Sequence, residues 1–309
     1  MFSLIFPGQG SQTVGMNKEF YEKFDTVKKL FHEADNILDF SLSSLILEGP
    51  KEQLDLTENT QPAIFLVGYS IFQLLKKEFN LDLNKASFFA GHSLGEYTAL
   101  VSSNIITINE CSKLLKVRGE LMQNSYKENL SGMVAIIGLD CQSVEKIILK
   151  NNLNIEVAND NSPLQVVISG IKKDLSEAEE IFLQHGIKRY QYLNVSAAFH
   201  SKIMKNAEKE MKTYLNKIQF KKPIYPIISN YDAKCSANPE IIFNNLSNQM
   251  SNKVKWVESI KCLESLKETN IIEIGPGKIL TGLIKRISNK FTLSNINSIK
   301  DLENIINGL

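Results

Sequence analysis

Short apolar runs alternate with amphipathic stretches along most of the chain. Ser3–Phe6, Phe88–Ala90 and Ile271–Ile274 read as buried strands, and helical spacing follows each of them, as in Leu280–Ile287 after the last. That alternation predicts an α/β fold built on a parallel sheet, with any ligand seated where strands end and helices begin. The middle of the chain has a different order. Met133–Leu139 predicts a strand, Gln142–Lys150 a helix, Ile155–Ala158 and Val166–Ser169 two strands joined by a turn at Asn161-Ser162-Pro163, Leu175–Gln184 a helix and Lys188–Val195 a strand. The order βαββαβ is that of a ferredoxin-like unit. It predicts a small domain at 125–197 inserted into a larger α/β domain made of 1–124 and 198–309.

One motif changes the picture from architecture to chemistry. Gly91-His92-Ser93-Leu94-Gly95 matches G-x-S-x-G, follows the apolar strand ending at Ala90 and precedes a helix beginning near Glu96. In that context it is a nucleophile elbow. Its glycines relieve crowding in a sharp turn, and the helix N-terminus offers free N–H groups to a developing oxyanion, Leu94 N–H first. His92, inside so sharp a turn, points away from the serine side chain and is taken as structural.

A serine hydroxyl needs a proton acceptor. His32 lies in a helical stretch, Thr26–Leu38, and His185 ends a helix just before Gly186, where a cation suits the C-terminus. His200, in Ser196-Ala197-Ala198-Phe199-His200-Ser201, stands where the small domain hands the chain back to the large one, and is assigned as general base.

The segment after Thr107 opens with a capping box, Thr107 and Glu110, and Cys111, Leu114, Leu115, Arg118 and Met122 then share one face. Arg118 interrupts an apolar stripe. A buried ion pair, a side chain snorkelling outward or a ligand carboxylate would each account for it. Glu110 and Glu120 are out of phase with it, and a guanidinium fork suits a carboxylate. The loop Phe6-Pro7-Gly8-Gln9-Gly10-Ser11-Gln12 permits close backbone approach to a ligand but lacks the lysine of a P-loop. Gly275-Pro276-Gly277-Lys278 reads as a strand-to-helix turn.

Composition narrows the class. The 309 residues are 43% hydrophobic, enough for a large core, and 35 basic against 34 acidic residues give a charge of +1. Nucleic acid and anionic membranes are therefore not expected as partners. Cys111, Cys141, Cys235 and Cys262 form no CxxC pair, so neither a zinc site nor a disulfide framework is indicated and a reducing cytoplasm fits. Phe2–Phe6 lacks the basic flank of a signal peptide, and no run approaches the roughly 20 apolar residues of a membrane span.

Taken together, FPGQGSQ at 6–12, TQPA at 60–63, GHSLGEYTALV at 91–101, VRG at 117–119, AAFHS at 197–201 and EIGPGKILTGLIKRI at 273–287 resemble the malonyl-CoA:acyl carrier protein transacylases, in order through nearly the whole chain. The resemblance implies an α/β-hydrolase-like large domain with a ferredoxin-like insertion and a Ser–His dyad. On the matching positions it implies Ser93 as nucleophile, His200 as base, Arg118 as clamp for the malonyl carboxylate, and the Gln9 and Leu94 amides as oxyanion donors. It further implies the Gln249 carbonyl as the group orienting the histidine, and Gln61, Asn161 and Gln165 as pocket-lining positions. Phe199 looks like the bulky residue of malonyl-selective relatives. Many relatives have proline where Ala198 stands and Asn-Pro where this chain has Asn252-Lys253, so the loops supporting His200 are expected to be less rigid. Malonyl-CoA is the implied substrate and acyl carrier protein, bearing its own phosphopantetheine, the implied partner of a monomeric chain. No metal or bound cofactor is expected. An esterase, a loader of polyketide carriers and a catalytically silent carrier-docking module are the competing readings.

Overall fold

The computed structural model describes residues 1–79, 81–127 and 130–308 and has two sheets. Positions 80, 128, 129 and 309, which fall in the expected segments 1–124, 125–197 and 198–309, lie outside the described residues. In chain order the strands are β1 (Phe2–Phe6), β2 (Ala86–Gly91), β3 (Ser131–Ile137), β4 (Ile155–Ser162), β5 (Gln165–Ile171), β6 (Arg189–Tyr192), β7 (Ile227–Ile228), β8 (Cys235–Ser236), β9 (Asn270–Ile274) and β10 (Thr292–Ile296).

The larger sheet runs β10-β9-β1-β2-β7-β8, parallel except for the β7–β8 pair. Strand β1 lies near its centre and all five of its residues are buried, because helices cover both faces of a parallel sheet. One face packs Leu4, Phe6 and Phe89 against the long helix Thr57–Lys77, and the other packs Ile5, Ala90 and Ile228 against Trp256, Ile260 and Ile284. Phe6 is in register with Gly91, so the loops that leave β1 and β2 emerge side by side at the carboxyl edge.

The smaller sheet runs β4-β5-β3-β6 and is antiparallel throughout. Its side chains divide by the two-residue period of a strand. Val134, Ile136, Val166 and Ile168 pack on the sheet's own helices, Cys141–Lys150 and Lys172–Gln184, while Met133, Ala135, Ala158 and Val167 join the main core. The sheet is therefore wedged on the larger unit through its second face.

One local expectation changes and three strands are added. Strand β4 runs on to Ser162, so Asn161 belongs to a strand and the turn is moved to Pro163-Leu164. Two irregularities in the β4–β5 register, and a parallel bridge from Asn159 to Val254, extend pairing through residues whose polarity reads as a turn. Strand β10 is polar in sequence because it forms an edge, and β7 and β8 are only two residues each. The turn at 275–278 is as expected, with a buried addition: Glu273 accepts from the Leu280 and Thr281 amides and so caps the helix Ile279–Ile287.

Candidate active site

The elbow forms between β2 and the helix Gly95–Ser102, and Ser93 at its tip has φ +52°, in the left-handed region. A non-glycine residue stays there only when its surroundings hold it. Ser93 N donates to Asn230 Oδ1 at 2.6 Å and Asn230 Nδ2 donates to Gly91 O at 2.7 Å, so one amide side chain staples both sides of the turn. Gly95 is needed for a second reason: a Cβ there would lie 2.2 Å from Phe6 O and 2.7 Å from Pro7 O. The loop after β1 rests directly on the elbow, and Gln9 comes with it.

Ser93 Oγ lies 2.9 Å from His200 Nε2, and His200 Nδ1 lies 3.0 Å from the Gln249 carbonyl oxygen. That carbonyl can only accept, so Nδ1 carries the proton and Nε2 presents its lone pair to the serine. His200 also holds a positive φ, +55°, and its amide donates to Met250 O. Burial, and after it the Arg118 cation, push the imidazole down to about 3, so the ring is neutral.

Arg118 is buried on the helix Ile108–Gln123, whose capping box is formed as read from Thr107 and Glu110. Its Nη1 donates to Gln61 Oε1 at 2.6 Å, and its Nη2 donates to Ser93 Oγ at 3.1 Å and Gln249 Oε1 at 2.9 Å. The guanidinium also faces the Tyr97 ring, 5.4 Å from its centroid. Every hydrogen-bond acceptor around it is neutral. Among the described residues it makes no ion pair with an Asp or Glu. Gly119 lets this helix approach the helix carrying Gln61, since a Cβ at 119 would come within 2.5 Å of Glu58 Cα.

Other sequence-derived candidates fall into place unevenly. Asn161 Oδ1 meets His92 Nε2 at 2.8 Å, which ties the small sheet to the elbow and engages His92, whose ring lies against Trp256. Phe199 is buried immediately before the histidine, and its carbonyl accepts from Ser169 Oγ. Gln165 instead bonds to Arg286 Nη1 at the surface, with no hydrogen bond to the groups around Ser93. His32 and His185 sit on their helices, the latter bonded to Ile181 O. The two departures near His200 each carry a support: the Ala198 amide donates to Ser131 Oγ, and Lys253 Nζ pairs with Glu145 at 2.7 Å across to the small sheet.

Sequence reasoning missed Asn230, Glu96 and the amide side chain of Gln249. Asn230 follows the apolar pair Ile227-Ile228 at the carboxyl edge of the sheet, and an apolar pair running into Ser229-Asn230-Tyr231-Asp232 is the one signal that could have marked it. Among the described residues, no group of three or more His, Cys, Asp or Glu side chains is placed to hold a metal ion, and no helix is long and apolar enough to cross a membrane.

Comparison with known proteins is consistent with this geometry. A family model described as acyl transferase domain matches residues 3–300. The malonyl CoA-acyl carrier protein transacylase of Bacillus subtilis (strain 168) is 38% identical over 292 residues, 93% of this chain and 90% of that protein. That of Escherichia coli (strain K12) is 37% identical over 298 residues, 96% of each. Among solved structures, an acyl-carrier-protein-S-malonyltransferase from Bartonella henselae superposes with a TM-score of 0.95 at 36% identity, over 99% of this chain and 98% of that one. A malonyl-transacylase in complex with its holo type II PKS acyl-carrier protein also gives 0.95, at 34% identity, over 100% and 99%.

Proposed function

The chain belongs to the acyl transferase domain family, and from that premise we propose that Ser93 carries a malonyl group from coenzyme A to the phosphopantetheine thiol of acyl carrier protein, supplying fatty acid synthesis. The observation that carries the reading is Arg118: a buried cation with only neutral hydrogen-bond acceptors, one of them the Ser93 hydroxyl oxygen 3.1 Å away. A buried cation without a directly paired counter-charge is costly, and an arriving carboxylate lowers that cost. An acyl group ending in a carboxylate is therefore favoured over one that does not. An esterase for neutral esters gives such a guanidinium no role.

The course is ping-pong. His200 Nε2 takes the Ser93 proton as Oγ bonds to the thioester carbon, and the carbonyl electron pair moves to oxygen. The Gln9 and Leu94 amides hold that oxyanion. Supporting this, the neighbouring amides of Gly10 and Ser93 are taken up by Gln12 and Asn230, whereas among the described residues those of Gln9 and Leu94 are free of backbone bonds in loops and caps. The tetrahedral species expels the thiolate of coenzyme A, which leaves with the proton from His200. The carrier thiol then gives its proton to His200, attacks malonyl-Ser93 and restores the serine by the reverse steps. Each step uses only these side chains and the two thiols, so no prosthetic group of the enzyme's own is called for.

We assign the fold, more finely, to an α/β-hydrolase-like unit of 1–124 and 198–309 with a ferredoxin-like insertion at 125–197. The βαββαβ order and the strand order β4-β5-β3-β6 support the second part. Phe199, Gln61 and Asn161 would line the acyl pocket, while Gln165, bonded at the surface, would stand at its margin.

Intact mass after brief exposure to malonyl-CoA or acetyl-CoA tests the function. A malonyl adduct is expected on the native chain, absent in Ser93→Ala and diminished for malonyl far more than for acetyl in Arg118→Ala. A native chain that folds and forms no adduct would overturn the proposal in favour of a hydrolase or a silent docking module.

A further inference from the structure

Behind the elbow lies a carboxyl group that the reaction as described does not use. Glu96, in the first turn of the helix Gly95–Ser102, is fully buried. Its Oε2 accepts from Asn230 N at 3.0 Å and from Gln249 Nε2 at 2.7 Å, while Oε1 makes no hydrogen bond of good geometry, with only the buried Ser229 hydroxyl bearing on the carboxyl besides. A buried carboxyl without a basic partner needs an explanation.

The explanation lies in the far end of the Gln249 amide. That amide has one donor end and one acceptor end. Both N–H groups of Nε2 are spent, one on Glu96 Oε2 and one on Ser93 O at 3.1 Å, so Oε1 faces Arg118 Nη2 at 2.9 Å. Turned over, the amide would set N–H against the guanidinium and its oxygen against both Glu96 and Ser93 O. We infer that Glu96 is a positioning residue for acyl-group selection: by fixing the Gln249 side chain it aims the Arg118 guanidinium at the carboxylate end of the acyl group. The inference rests on the malonyl reading of Arg118.

The acceptor, rather than the charge, is what this role needs. Burial lifts Glu96 to about 7, and a proton bound to it would sit on Oε1, on the side of the Ser229 hydroxyl, leaving Oε2 to accept as before. Glutamine at 96 preserves the same acceptor, with its NH2 in the place of Oε1. Methionine removes it at similar volume.

The test measures kcat/KM for acylation of Ser93 by malonyl-CoA and by acetyl-CoA and takes their ratio, which a general loss of folding or of nucleophilicity does not move. Glu96→Gln is expected to keep the ratio within about twofold. Glu96→Met is expected to lower it about tenfold, the loss of one charge-assisted contact's worth of aim. Gln249→Met keeps the main-chain carbonyl that holds His200; in that background Glu96→Met is expected to lower the ratio no further, because Glu96 acts through Gln249. Should the Met variant not fold, Glu96→Asp, which withdraws the acceptor by one methylene, is expected to lower the ratio about threefold. An unchanged ratio in Glu96→Met or, failing that, in Glu96→Asp overturns the inference, as does an equal fall in Glu96→Gln or an undiminished effect in the Gln249→Met background. Arg118→Ala separates the two levels: if it leaves the ratio intact the malonyl reading itself falls, and if it collapses the ratio while Glu96→Met does not, the role of Glu96 falls alone.

Discussion

Ser93 and His200, 107 positions apart, meet at 2.9 Å with both backbones in the left-handed region, at φ +52° and +55°. Strain on both partners of one hydrogen bond shows that the turns were fixed by their surroundings rather than by local preference. Asn230 holds the first, and Met250 O holds the amide of the second.

With His200 as the proposed base, its low basicity is expected to set the pH dependence of acylation. A base must be neutral to act, and burial with the Arg118 charge brings the ring to about 3, below its ordinary 6.5. The acid limb of kcat/KM for malonyl-CoA, which reports the free enzyme, is therefore expected below pH 5, with no fall through 6.5. Arg118→Ala removes the second-largest of the causes, so in that variant the limb is expected to move upward while burial keeps it under 6.5. Rates of adduct formation from pH 4.5 to 8 check both points.

Arg118→Lys keeps a cation but not the fork. The guanidinium reaches Gln61 from one nitrogen and Gln249 and Ser93 from another, which a single ammonium cannot reproduce together. The kcat/KM for malonyl-CoA is expected to fall at least about tenfold, equivalent to ~1.4 kcal/mol, with a much smaller change for acetyl-CoA. Steady-state kinetics with both thioesters decides it.

Asn230→Leu is expected to damage the elbow itself. It strands the Ser93 amide and the Gly91 carbonyl in the interior, each costing about 1–3 kcal/mol. Denaturant unfolding should show the loss of stability, and acylation by malonyl-CoA and acetyl-CoA should slow by similar factors, because Ser93, the proposed nucleophile, is displaced rather than Arg118.

Gly95→Ala would place a Cβ 2.2 Å from Phe6 O and force the loop bearing Gln9 away from the elbow. Losing one oxyanion donor typically costs about 10²–10³ in rate. A drop of that order in acylation by either thioester is expected, with Ser93 still hydrogen-bonded to His200. A crystal structure of the variant would show the loop displaced.

The sequence by itself determined what depends on near neighbours. The elbow was legible because glycines flank Ser93 between an apolar strand and a helix, and Arg118 because a cation broke a stripe at helical spacing. The βαββαβ order of the small sheet was legible because each element buries one face and so writes a period into the chain. Edge strand β10, the two-residue β7 and the extension of β4 to Ser162 were not, since edges and bulged strands carry little apolar periodicity. The polar framework was decided only by the tertiary structure. Asn230 reaches Ser93 across 137 positions and Gln249 reaches Glu96 across 153, and nothing in the local pattern of any of these marks its partner. Hydrogen bonds between side chains so far apart follow from which loops the sheet brings to one edge, and the order of strands in that sheet exists only once the chain has folded.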